Sequence, residues 1–483
     1  MPPIKALRLN ATQAAQRQEW GVARTQFQKA LAADPDWGDG WLNLGVCCLQ
    51  LGLGVDALEA LRQGLERAPA LPRVRLALAD ACALLGDSAE AAHWCEEESV
   101  RFPRQSEGWL ALGIAYERLG LASAHGAYEK AFALSPSNPA TAWNWGRRLQ
   151  EDGHLAEAER VLRQGWERHP EFGGLAWEFT VNCFLRGDVD AGLRLLDTRR
   201  LAPGFPVRSQ VGHLPLWSQG TPPKSPVFLE PEQGLGDTLQ FVRFAPHLAA
   251  LGVEVWLGVP KSLESLLTEF PGVHRLLTDP KMSEGAACRL PLLSLPTRLG
   301  IRAADLDGRP YLQLPRPALR RKPAPGKRLR VGLVWRGNPQ HKNDSNRSIP
   351  ILELLPLLSL PDIERVSLQL GTEAARDLER LEGTGISISD ATTAIGSYRD
   401  TADRLLETDM VVSVDTSVAH LAGALGHPVC LLLPFYPDWR WGFSGNETPW
   451  YRSMHVFRQE TKGGWQVPIG FIKRFLAQFQ SLD

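Results

Sequence analysis

A short stretch in the middle of the sequence combines residue types that suit acid–base chemistry on a hydroxyl group. The segment 230-EPEQGLGDTLQFVRF-244 follows an apolar run, 227-VFL-229, and continues with helical spacing. Gly234 and Gly236 permit a tight turn and a close approach of the backbone to a ligand. Asp237 stands at the expected helix start, where free N–H groups favour an anion or an oxygen-rich substrate. A carboxylate there can accept a hydroxyl proton, and the plainer alternative is a tight turn with Asp237 as the helix cap.

Three polar segments further along the chain each follow an apolar run that predicts a strand. They are 336-RGNPQHKNDSNRSIP-350, 415-DTSVAHLAGALG-426 and 435-FYPDWRW-441. Because the carboxyl ends of parallel strands lie at one edge of a sheet, these segments should meet there. The candidate residues in them are Gly337, Asn338, His341, Lys342, Arg347, Asp415, Thr416, Ser417, His420 and the aromatic residues around Arg440.

The chemistry of these segments suits a leaving group that gains negative charge. A guanidinium such as that of Arg347, with the N–H groups of a helix start, would stabilise a leaving diphosphate without a metal ion. Trp335 or an aromatic residue of 435–441 would stack on a base or a sugar. Each feature also has a structural alternative. Asp415 and Thr416 would also serve as helix caps, His420 as a core histidine and Arg347 as a surface charge.

The elements that position these residues follow from the pattern after residue 225. Strands are predicted at 227–230, 253–259 and 273–278, and then at 330–335, 365–370, 386–389, 410–414 and 428–433. Near-continuous apolar strands separated by helical segments predict parallel sheets that are covered on both faces. Two such sheets in tandem predict two Rossmann-like halves facing a cleft. The Pro-rich segments 202–226 and 315–328 are predicted to be a linker and a hinge.

The first two hundred residues repeat with a period close to 34. Trp41, Trp109, Trp143 and Trp177 fall on this grid, and Arg75 occupies the remaining slot. Prolines and glycines recur at nearly the same interval, which predicts units of two helices that must stack to bury their apolar faces. The pattern resembles the tetratricopeptide repeat over about residues 20–195, although Arg147 and Val181 replace the small residue expected in the fourth and fifth units. A concave face that docks a protein or peptide is predicted, and the alternative is an array that dimerises the protein or orders the rest of it.

Composition and charge argue against several classes of protein, namely nucleic-acid-binding, membrane-bound and secreted proteins. The 483 residues carry a net charge of -1, which excludes a chain-wide electrostatic attraction to nucleic acid or to an anionic membrane. The start lacks the apolar core of a signal peptide, and no apolar run is long enough for a membrane span. The seven cysteines form no C-x-x-C pair and lie mostly in apolar patterns. A cytoplasmic location is therefore predicted.

Four segments together resemble the ADP-heptose–lipopolysaccharide heptosyltransferase family. They are 232-EQGLGDTLQFVRF-244, 333-LVWRGNPQHKNDSNRS-348, 367-SLQLG-371 and 412-VSVDTSVAHLAGALG-426. Over nearly its whole length the chain is similar to bacterial proteins in which tetratricopeptide repeats precede such a domain. The resemblance implies a GT-B fold, in which two Rossmann-like halves face a cleft. It also implies a nucleotide-diphosphate sugar as co-substrate, with no metal and no other cofactor.

The resemblance also implies residue roles. Asp237 corresponds to the general base that acts on the acceptor hydroxyl, and Arg347 to the basic residue that holds the diphosphate. The implied donor-binding residues are Gly234, Gly236, Trp335, Gly337, Asn338, Arg347, Gln369, Asp415, Thr416, Ser417 and His420. The family usually has glycine where this chain has Ser417 and often lysine where it has Arg347. Because both differences fall in the predicted donor pocket, the resemblance does not identify which sugar the donor carries.

These observations predict a domain plan and a function. The plan is a repeat array at 1–195, a linker at 196–224, an acceptor-side half at 225–322 and a donor-side half at 323–483. The predicted function is a metal-independent glycosyltransferase whose array docks a protein, peptide or glycan acceptor. The alternatives are a tetratricopeptide scaffold with an inactive GT-B domain and a nucleotide-sugar epimerase.

Overall fold

The computed structural model describes residues 4–205, 209, 211–218, 220, 221, 223, 226–314, 328–393 and 395–481. The chain divides into two compact units by its internal contacts. The first comprises the residues up to Leu149 together with Ala156–Leu175, and the second comprises Gln150–Leu155 together with Ala176 onward. The last change from the first unit to the second, between Leu175 and Ala176, thus lies before the predicted repeat limit at residue 195. The hinge predicted at 315–328 lies, except for Arg328, outside the described residues.

Twelve α-helices occupy the described part of the region in which the sequence repeats, from residue 4 onward. They are α1 Ile4–Gln16, α2 Trp20–Ala33, α3 Gly38–Gln50, α4 Gly54–Arg67, α5 Val74–Leu84, α6 Ser88–Arg101, α7 Ser106–Arg118, α8 Ala124–Leu134, α9 Pro139–Glu151, α10 Leu155–Arg168, α11 Gly173–Leu185 and α12 Val189–Leu195. From α1 to α8 the helices pack in consecutive pairs, and each pair packs on the next. The recurring glycines lie in the turns between paired helices and have φ between 69° and 85°, a left-handed conformation that glycine adopts without steric cost. They are Gly52, Gly86, Gly120, Gly153 and Gly187.

The grid position of the repeat has one structural role in three successive units. The indole N–H of Trp41 donates to the carbonyl of Pro35 at 2.8 Å, and that of Trp109 donates to the corresponding proline at 3.1 Å. Arg75 fills the same slot, and its guanidinium donates to the carbonyl of Pro69 at 3.1 Å. The arginine therefore replaces the tryptophan without losing the hydrogen bond to the preceding turn.

The fourth unit is shifted by one residue relative to the 34-residue grid. A Cβ on Gly45, Gly113 or Gly146 would lie 2.3–2.6 Å from a side chain of the second helix of the same pair. The small residue in the fourth unit is thus Gly146 and not the grid position Arg147. The proline and glycine that mark this unit also follow the previous ones after 33 residues, which explains the shift.

A four-stranded sheet follows, with strand order β3-β2-β1-β4 and every pair parallel. Its strands are β1 Val227–Glu230, β2 Val255–Gly258, β3 Arg275–Leu277 and β4 Cys288–Pro291. The helices of this region are α13 Leu235–Phe241, α14 Ala245–Ala249, α15 Glu264–Leu267 and α16 Leu295–Leu299. Strand order reverses between β1 and β4, so the loop after β1 opens at the switch point where parallel sheets bind ligands.

A six-stranded parallel sheet completes the second unit, with strand order β10-β9-β8-β5-β6-β7. Its strands are β5 Leu329–Val334, β6 Ile363–Ser367, β7 Ser389–Asp390, β8 Met410–Val414, β9 Val429–Leu433 and β10 Met454–Arg458. Its helices are α17 Asp344–Arg347, α18 Leu355–Leu358, α19 Thr372–Glu379, α20 Tyr398–Leu405, α21 Ser417–Leu425 and α22 Gln466–Ser481. Counted within the sheet, the order is 3-2-1-4-5-6, that of doubly wound α/β sheets, with its switch point between β5 and β8.

The prediction of parallel sheets is confirmed, and each sheet has one strand more than the sequence pattern predicted. The additional strands are β4 and β10, and both lie at an edge of their sheet. An edge strand is buried less completely than a central one, so it lacks the continuous apolar run that marks a central parallel strand. The alternation of buried and exposed residues in β10 fits this position.

The last repeat helices belong to the core of the second unit. Val181, Phe184 and Leu185 of α11, with Leu193 of α12, are buried in the same apolar cluster as strands of both sheets. A 3-10 helix at Leu196–Leu201 follows α12, within the segment predicted as a linker. The end of the periodic pattern and the end of the first compact unit are therefore different places in the chain.

All seven cysteines lie in the described part of the chain, and each is a buried thiol outside any disulfide. Burial raises the pKa of the Cys95 thiol to about 12 and those of Cys47 and Cys82 to about 11. These thiols behave as small apolar core groups, as their surroundings in the sequence predict. Among the described residues, no helix combines the length and the apolar character that a membrane crossing requires.

Candidate functional site between the two parallel sheets

The loop after β1 ends in a helix start that holds Asp237. The helix begins at Leu235, earlier than predicted, so Asp237 lies in its first turn. The Asp237 carboxylate accepts a hydrogen bond from the N–H of Gly234 at its Oδ2 atom, at 2.9 Å. One of the two carboxylate oxygens of Asp237, Oδ2, therefore caps the helix, as the structural alternative predicted. Gln233, just before the glycine, has a φ of 53°, a strained conformation for a residue with a side chain.

The other oxygen of Asp237 contacts the six-stranded sheet. Its Oδ1 atom accepts a hydrogen bond from Nη2 of Arg440 at 2.5 Å, and Arg440 lies in the loop after β9. The same guanidinium donates from Nε to Gln240 at 2.9 Å and pairs through Nη1 with Asp438 at 2.8 Å. Arg440 is 9% exposed, so this ion pair joins the two sheets in a largely water-excluded place.

Burial governs the protonation of this cluster. Burial raises the pKa of Asp237, and Arg440 and the Gly234 N–H oppose that rise. Burial and the nearby Asp438 raise the pKa of Asp415 to about 6, against the opposing effects of Arg440 and Arg347. Burial disfavours the charge of Arg440, but the surrounding carboxylates outweigh it and raise the pKa of the guanidinium. The cluster therefore holds a permanently charged cation among carboxylates that resist ionisation.

Arg347 and Asp415 meet at the switch point of the six-stranded sheet. Arg347, from the loop after β5, donates from Nη1 to the backbone carbonyl of Asp415 at 3.0 Å. It also contacts Asp344 through Nε at 3.3 Å. A Cβ on Gly337 would lie 2.3 Å from the Asp344 carboxylate and 2.5 Å from Arg347, so a larger residue would force these side chains to shift. Asn346 donates to the carbonyl of Tyr436 at 3.2 Å, so all three predicted loops meet at one edge.

Trp335 and Gln369 have structural positions. The Trp335 side chain is 1% exposed within the core of the six-stranded sheet, and its indole donates to Asp377 at 2.8 Å. Its ring does not face the loops at the edge, because the ring packs in this core. Gln369 accepts from the backbone N–H groups of Trp335 and Arg336 at 3.0 and 2.8 Å, which fixes the start of the loop after β5. Stacking of Trp335 on a ligand has no support in this geometry.

The first turn of α21 packs directly on α13. A Cβ on Gly236 would lie 2.8 Å from the His420 ring, so this glycine permits contact between the two helices. His420 is 3% exposed, its Nδ1 atom is 2.9 Å from the Tyr451 hydroxyl, and its ring stacks on Trp441 with centroids 5.1 Å apart. Burial, with Arg440, lowers the pKa of His420 well below its usual value. The alternative of a core histidine with a satisfied partner fits this neutral, enclosed ring.

The remaining predicted residues occupy the outer part of the site. Asn338 is exposed, and its side chain accepts from the N–H of Gln340 at 3.0 Å in a local turn. Thr416 occupies the N-cap position of α21 without a capping hydrogen bond, and its hydroxyl lies 3.1 Å from that of Ser413. The hydroxyl of Ser417 is hydrogen-bonded to that of Tyr398. Their predicted contacts with a donor stay predictions.

A cavity of about 420 Å³ opens at the carboxyl edge of the four-stranded sheet. Glu230, Glu232 and Gln233 from the loop after β1 line it, with Arg289 and Arg200 on other walls. Arg289 pairs with Glu230 at 3.0 Å. The cavity therefore adjoins the loop that carries Asp237. Among the described residues, no cluster of histidine, cysteine and carboxylate side chains is arranged to hold a metal ion.

The structural importance of Arg440, Gln240 and Glu232 was not predicted from the sequence. The sequence indicated only that Arg440 is a cationic residue in a loop rich in aromatic residues. Its partner Asp237 is 203 positions earlier in the chain. Gln240 falls in a helical pattern that fits a surface position equally well, although it is fully buried. The one available signal was the segment 438-DWRW-441, because a charged residue between two tryptophans after a strand is expected to be buried and paired.

The comparisons with known proteins identify the class of the N-terminal part. A family model for the tetratricopeptide repeat matches residues 9–72 and 55–99. The helix pairs within residues 9–99 are therefore tetratricopeptide repeats, which confirms the prediction for these units.

Particular proteins are similar to the chain at low identity. Protein FlbA of Caulobacter vibrioides is 25% identical over 487 residues, which cover 95% of this chain and 76% of FlbA. A thermophilic tetratricopeptide protein of Thermus thermophilus, TTC0263, is 22% identical, with a TM-score of 0.34, over 38% of this chain and 100% of that chain. PilF of Pseudomonas aeruginosa is 20% identical, with a TM-score of 0.37, over 42% of this chain and 92% of that chain.

Proposed function

We propose that the second unit is a metal-independent glycosyltransferase of the GT-B type, which moves a sugar from a nucleoside diphosphate to an acceptor hydroxyl. The observation that carries this proposal is that Arg440 faces both Asp237, from the loop after β1, and Asp415, from the loop after β8, and that these two loops lie at the switch points of their sheets. Ligands of parallel α/β sheets bind at such points. The resemblance to the heptosyltransferase family assigns the same loops to the acceptor and the donor.

The proposed reaction uses residues from both sheets. Asp237 accepts the proton of the acceptor hydroxyl as its oxygen bonds to the anomeric carbon. The bond between that carbon and the diphosphate oxygen breaks, and the nucleoside diphosphate leaves with the bonding electron pair. Arg347 and the N–H groups at the start of α21 stabilise the charge that develops on the diphosphate. The cavity beside Glu232 and Gln233 would admit the acceptor, since these residues belong to the loop that leads to Asp237.

The tetratricopeptide repeats are proposed to select the acceptor by docking a protein or peptide. Arrays of this kind present extended concave surfaces that bind partners. The second candidate function is a binding scaffold whose transferase domain does not turn over. The observation that favours this scaffold is the engagement of both Asp237 oxygens, one with Gly234 and one with Arg440.

Donor binding and turnover separate these functions. We expect ADP-, UDP- or GDP-sugars to raise the melting temperature of the protein, and Arg347→Ala to weaken binding of the same nucleotide by at least about tenfold, because charged hydrogen bonds contribute ~1.5–3 kcal/mol. An intact-mass assay on candidate acceptors then measures turnover. Asp237→Asn should retain nucleotide binding and lose turnover by about 10²–10⁴-fold. Full turnover by Asp237→Asn would exclude this base, and binding without any turnover in the wild type would support the scaffold.

A further inference from the structure

The loop that carries Arg440 is held by helix α11. The ring of Trp439 lies 4.5 Å from the ring of Phe184 and 6.3 Å from that of Trp177, measured between centroids. The N–H of Phe443 donates to the carbonyl of Leu185 at 2.8 Å. The Arg440 guanidinium lies over the Trp439 ring, 4.6 Å from its centroid. The arginine thus stacks on an aromatic side chain whose ring also contacts two aromatic rings of α11.

The hydrogen bonds of Arg440 are directed to the protein. Nε, Nη1 and Nη2 each have a partner, and these are Gln240, Asp438 and Asp237. A guanidinium with three side-chain partners and a stacked face is fixed in position. This arrangement suits a residue that orients a neighbouring group, whereas a phosphate ligand needs donors that face the substrate.

We propose that Arg440 is a positioning residue, which holds the Asp237 carboxylate ready to accept a proton, and that α11 fixes Arg440 through Trp439. The inference rests on the proposed role of Asp237 as the base. It goes beyond that role because it makes the end of the repeat array part of the site.

The physical reason lies in the burial of Asp237. A carboxyl group removed from water favours its neutral form, and a neutral acid cannot accept a proton. Arg440 supplies the opposing charge, and its stacked geometry directs one N–H at Oδ1 of Asp237. The other titratable or charged groups that face this pair are Asp415, Asp438, His341, Arg347, Arg243, His420 and Tyr451.

The direct test is a titration of Asp237 in the full-length protein. Aspartate labelled with ¹³C at its carboxyl carbon is followed by NMR, and the Asp237→Asn spectrum assigns the signal. Arg440→Gln should move the Asp237 midpoint upward by about one pH unit or more, because a close opposite charge lowers a carboxyl pKa by ~1–3 units. Arg440→Lys, which keeps the charge without the fork geometry, should give a smaller shift.

A matched control separates this effect from a general loss of stability. Arg298→Gln removes a partly buried arginine that pairs with Asp197 at 2.7 Å, elsewhere in the same unit. It should leave the Asp237 midpoint unchanged. An unchanged midpoint in Arg440→Gln, or an equal shift in Arg298→Gln, would overturn the positioning role.

The link to α11 has its own test. Phe184→Ala removes a contact of Trp439 and should move the Asp237 midpoint in the same direction by a smaller amount. Ile472→Ala, a comparable core truncation in α22 at a residue with 0% exposure, should leave it in place. A wild-type midpoint in Phe184→Ala would remove α11 from the proposal.

The titration does not depend on turnover, so the inference and the proposed function can fail separately. If Asp237→Asn keeps full turnover while Arg440→Gln shifts the Asp237 midpoint, Asp237 is not the base. Arg440 would then still control the charge of Asp237, but this control would have no role in catalysis. If Asp237→Asn abolishes turnover, the acidic limb of the kcat/KM profile should shift upward in Arg440→Gln by the same amount as the NMR midpoint. Loss of turnover in Arg440→Gln with an unmoved acidic limb would contradict the inference alone.

Discussion

The repeat array and the α/β part use arginine in opposite ways. In the array, Arg75 substitutes for a tryptophan, and both residue types donate to the carbonyl of the preceding turn. In the α/β part, Arg199 and Arg440 each pair with a carboxylate close in sequence, Asp197 and Asp438, and with one that is far away, Glu232 and Asp237. The contact that Arg75 shares with the tryptophans is with a backbone carbonyl, so either residue type can make it, and Arg75 adds an ion pair with Glu97 at 3.1 Å. The long-range contacts in the α/β part depend on two particular side chains, so substitution of Arg199 or Arg440 removes the charge that faces a largely buried carboxylate.

The largest expected effect tests where the first region ends. A chain that starts at residue 196 loses Val181, Phe184, Leu185 and Leu193, four buried side chains of the second unit. At ~1.5–3 kcal/mol each, their loss amounts to about 6–12 kcal/mol, comparable with the whole stability of a typical domain. We expect this chain to lack a cooperative thermal transition in circular dichroism. A chain that starts at Pro139 keeps α9–α12 and should melt cooperatively. If both shortened chains melted cooperatively, or if neither did, the assignment of the last repeat helices to the second unit would be wrong.

The second prediction concerns the buried ion pair beside the glycine loop. Arg199 is 1% exposed, and its Nη2 atom lies 2.6 Å from Glu232, whose side chain is 11% exposed. Arg199→Gln should reduce the free energy of unfolding by about 3–5 kcal/mol, because it leaves a buried carboxylate unpaired. Urea titrations of both single variants and the double variant measure this.

The double variant gives the contrasting outcome. Arg199→Gln with Glu232→Gln should be more stable than Arg199→Gln alone, since it removes the uncompensated charge. Strictly additive effects would show that the two side chains do not interact.

The third prediction concerns the pH dependence of stability. The pKa of Asp415 is raised to about 6 by burial and Asp438, so the folded state holds this proton at a pH where the unfolded state has released it. The raised pKa therefore stabilises the protein below about pH 4, and this contribution is lost as the pH rises to about 6. Asp415→Asn should become more stable relative to wild type over this window, by up to about 3 kcal/mol at ~1.4 kcal/mol per unit. Urea unfolding between pH 4 and 7 gives this difference, and a constant difference would refute the assignment.

The smallest effect belongs to the array. Arg75→Trp should change the free energy of unfolding by less than about 1 kcal/mol, because the indole can make the same hydrogen bond as Trp41 does in its own unit. Arg75→Ala should cost about 1–2 kcal/mol, since the carbonyl of Pro69 loses its donor and Glu97 loses its ion-pair partner. Urea titration of both variants is sufficient. A larger loss in Arg75→Trp than in Arg75→Ala would show that this slot is not interchangeable.

The sequence revealed the array and the central strands because both depend on local periodicity. A 34-residue interval and continuous apolar runs such as that of β9 are visible without knowledge of any distant contact. The edge strands β4 and β10 were missed because polar residues, Arg289 in β4 and His455 in β10, interrupt their apolar pattern. The sequence also predicted which loops meet, since parallel strands place their carboxyl ends together.

The partners within the site were not predictable in the same way. The pairing of Asp237 with Arg440 joins residues on different sheets, and nothing in either local pattern specifies the other. The ring of Trp335 and that of His420 were candidates for ligand contacts, yet both lie in the interior with partners of their own. A residue type indicates which chemistry is available, whereas burial and orientation depend on the whole fold.

The seven buried thiols give the protein an internal reporter of local opening. Only the thiolate reacts with an alkylating reagent, so a buried thiol with a raised pKa stays unmodified until its surroundings open. Cys47, Cys48, Cys82 and Cys95 report on the first unit, and Cys183, Cys288 and Cys430 report on the second. Mass spectrometry of peptides after brief alkylation at increasing urea concentration would therefore show which of the two units unfolds first, without any added label.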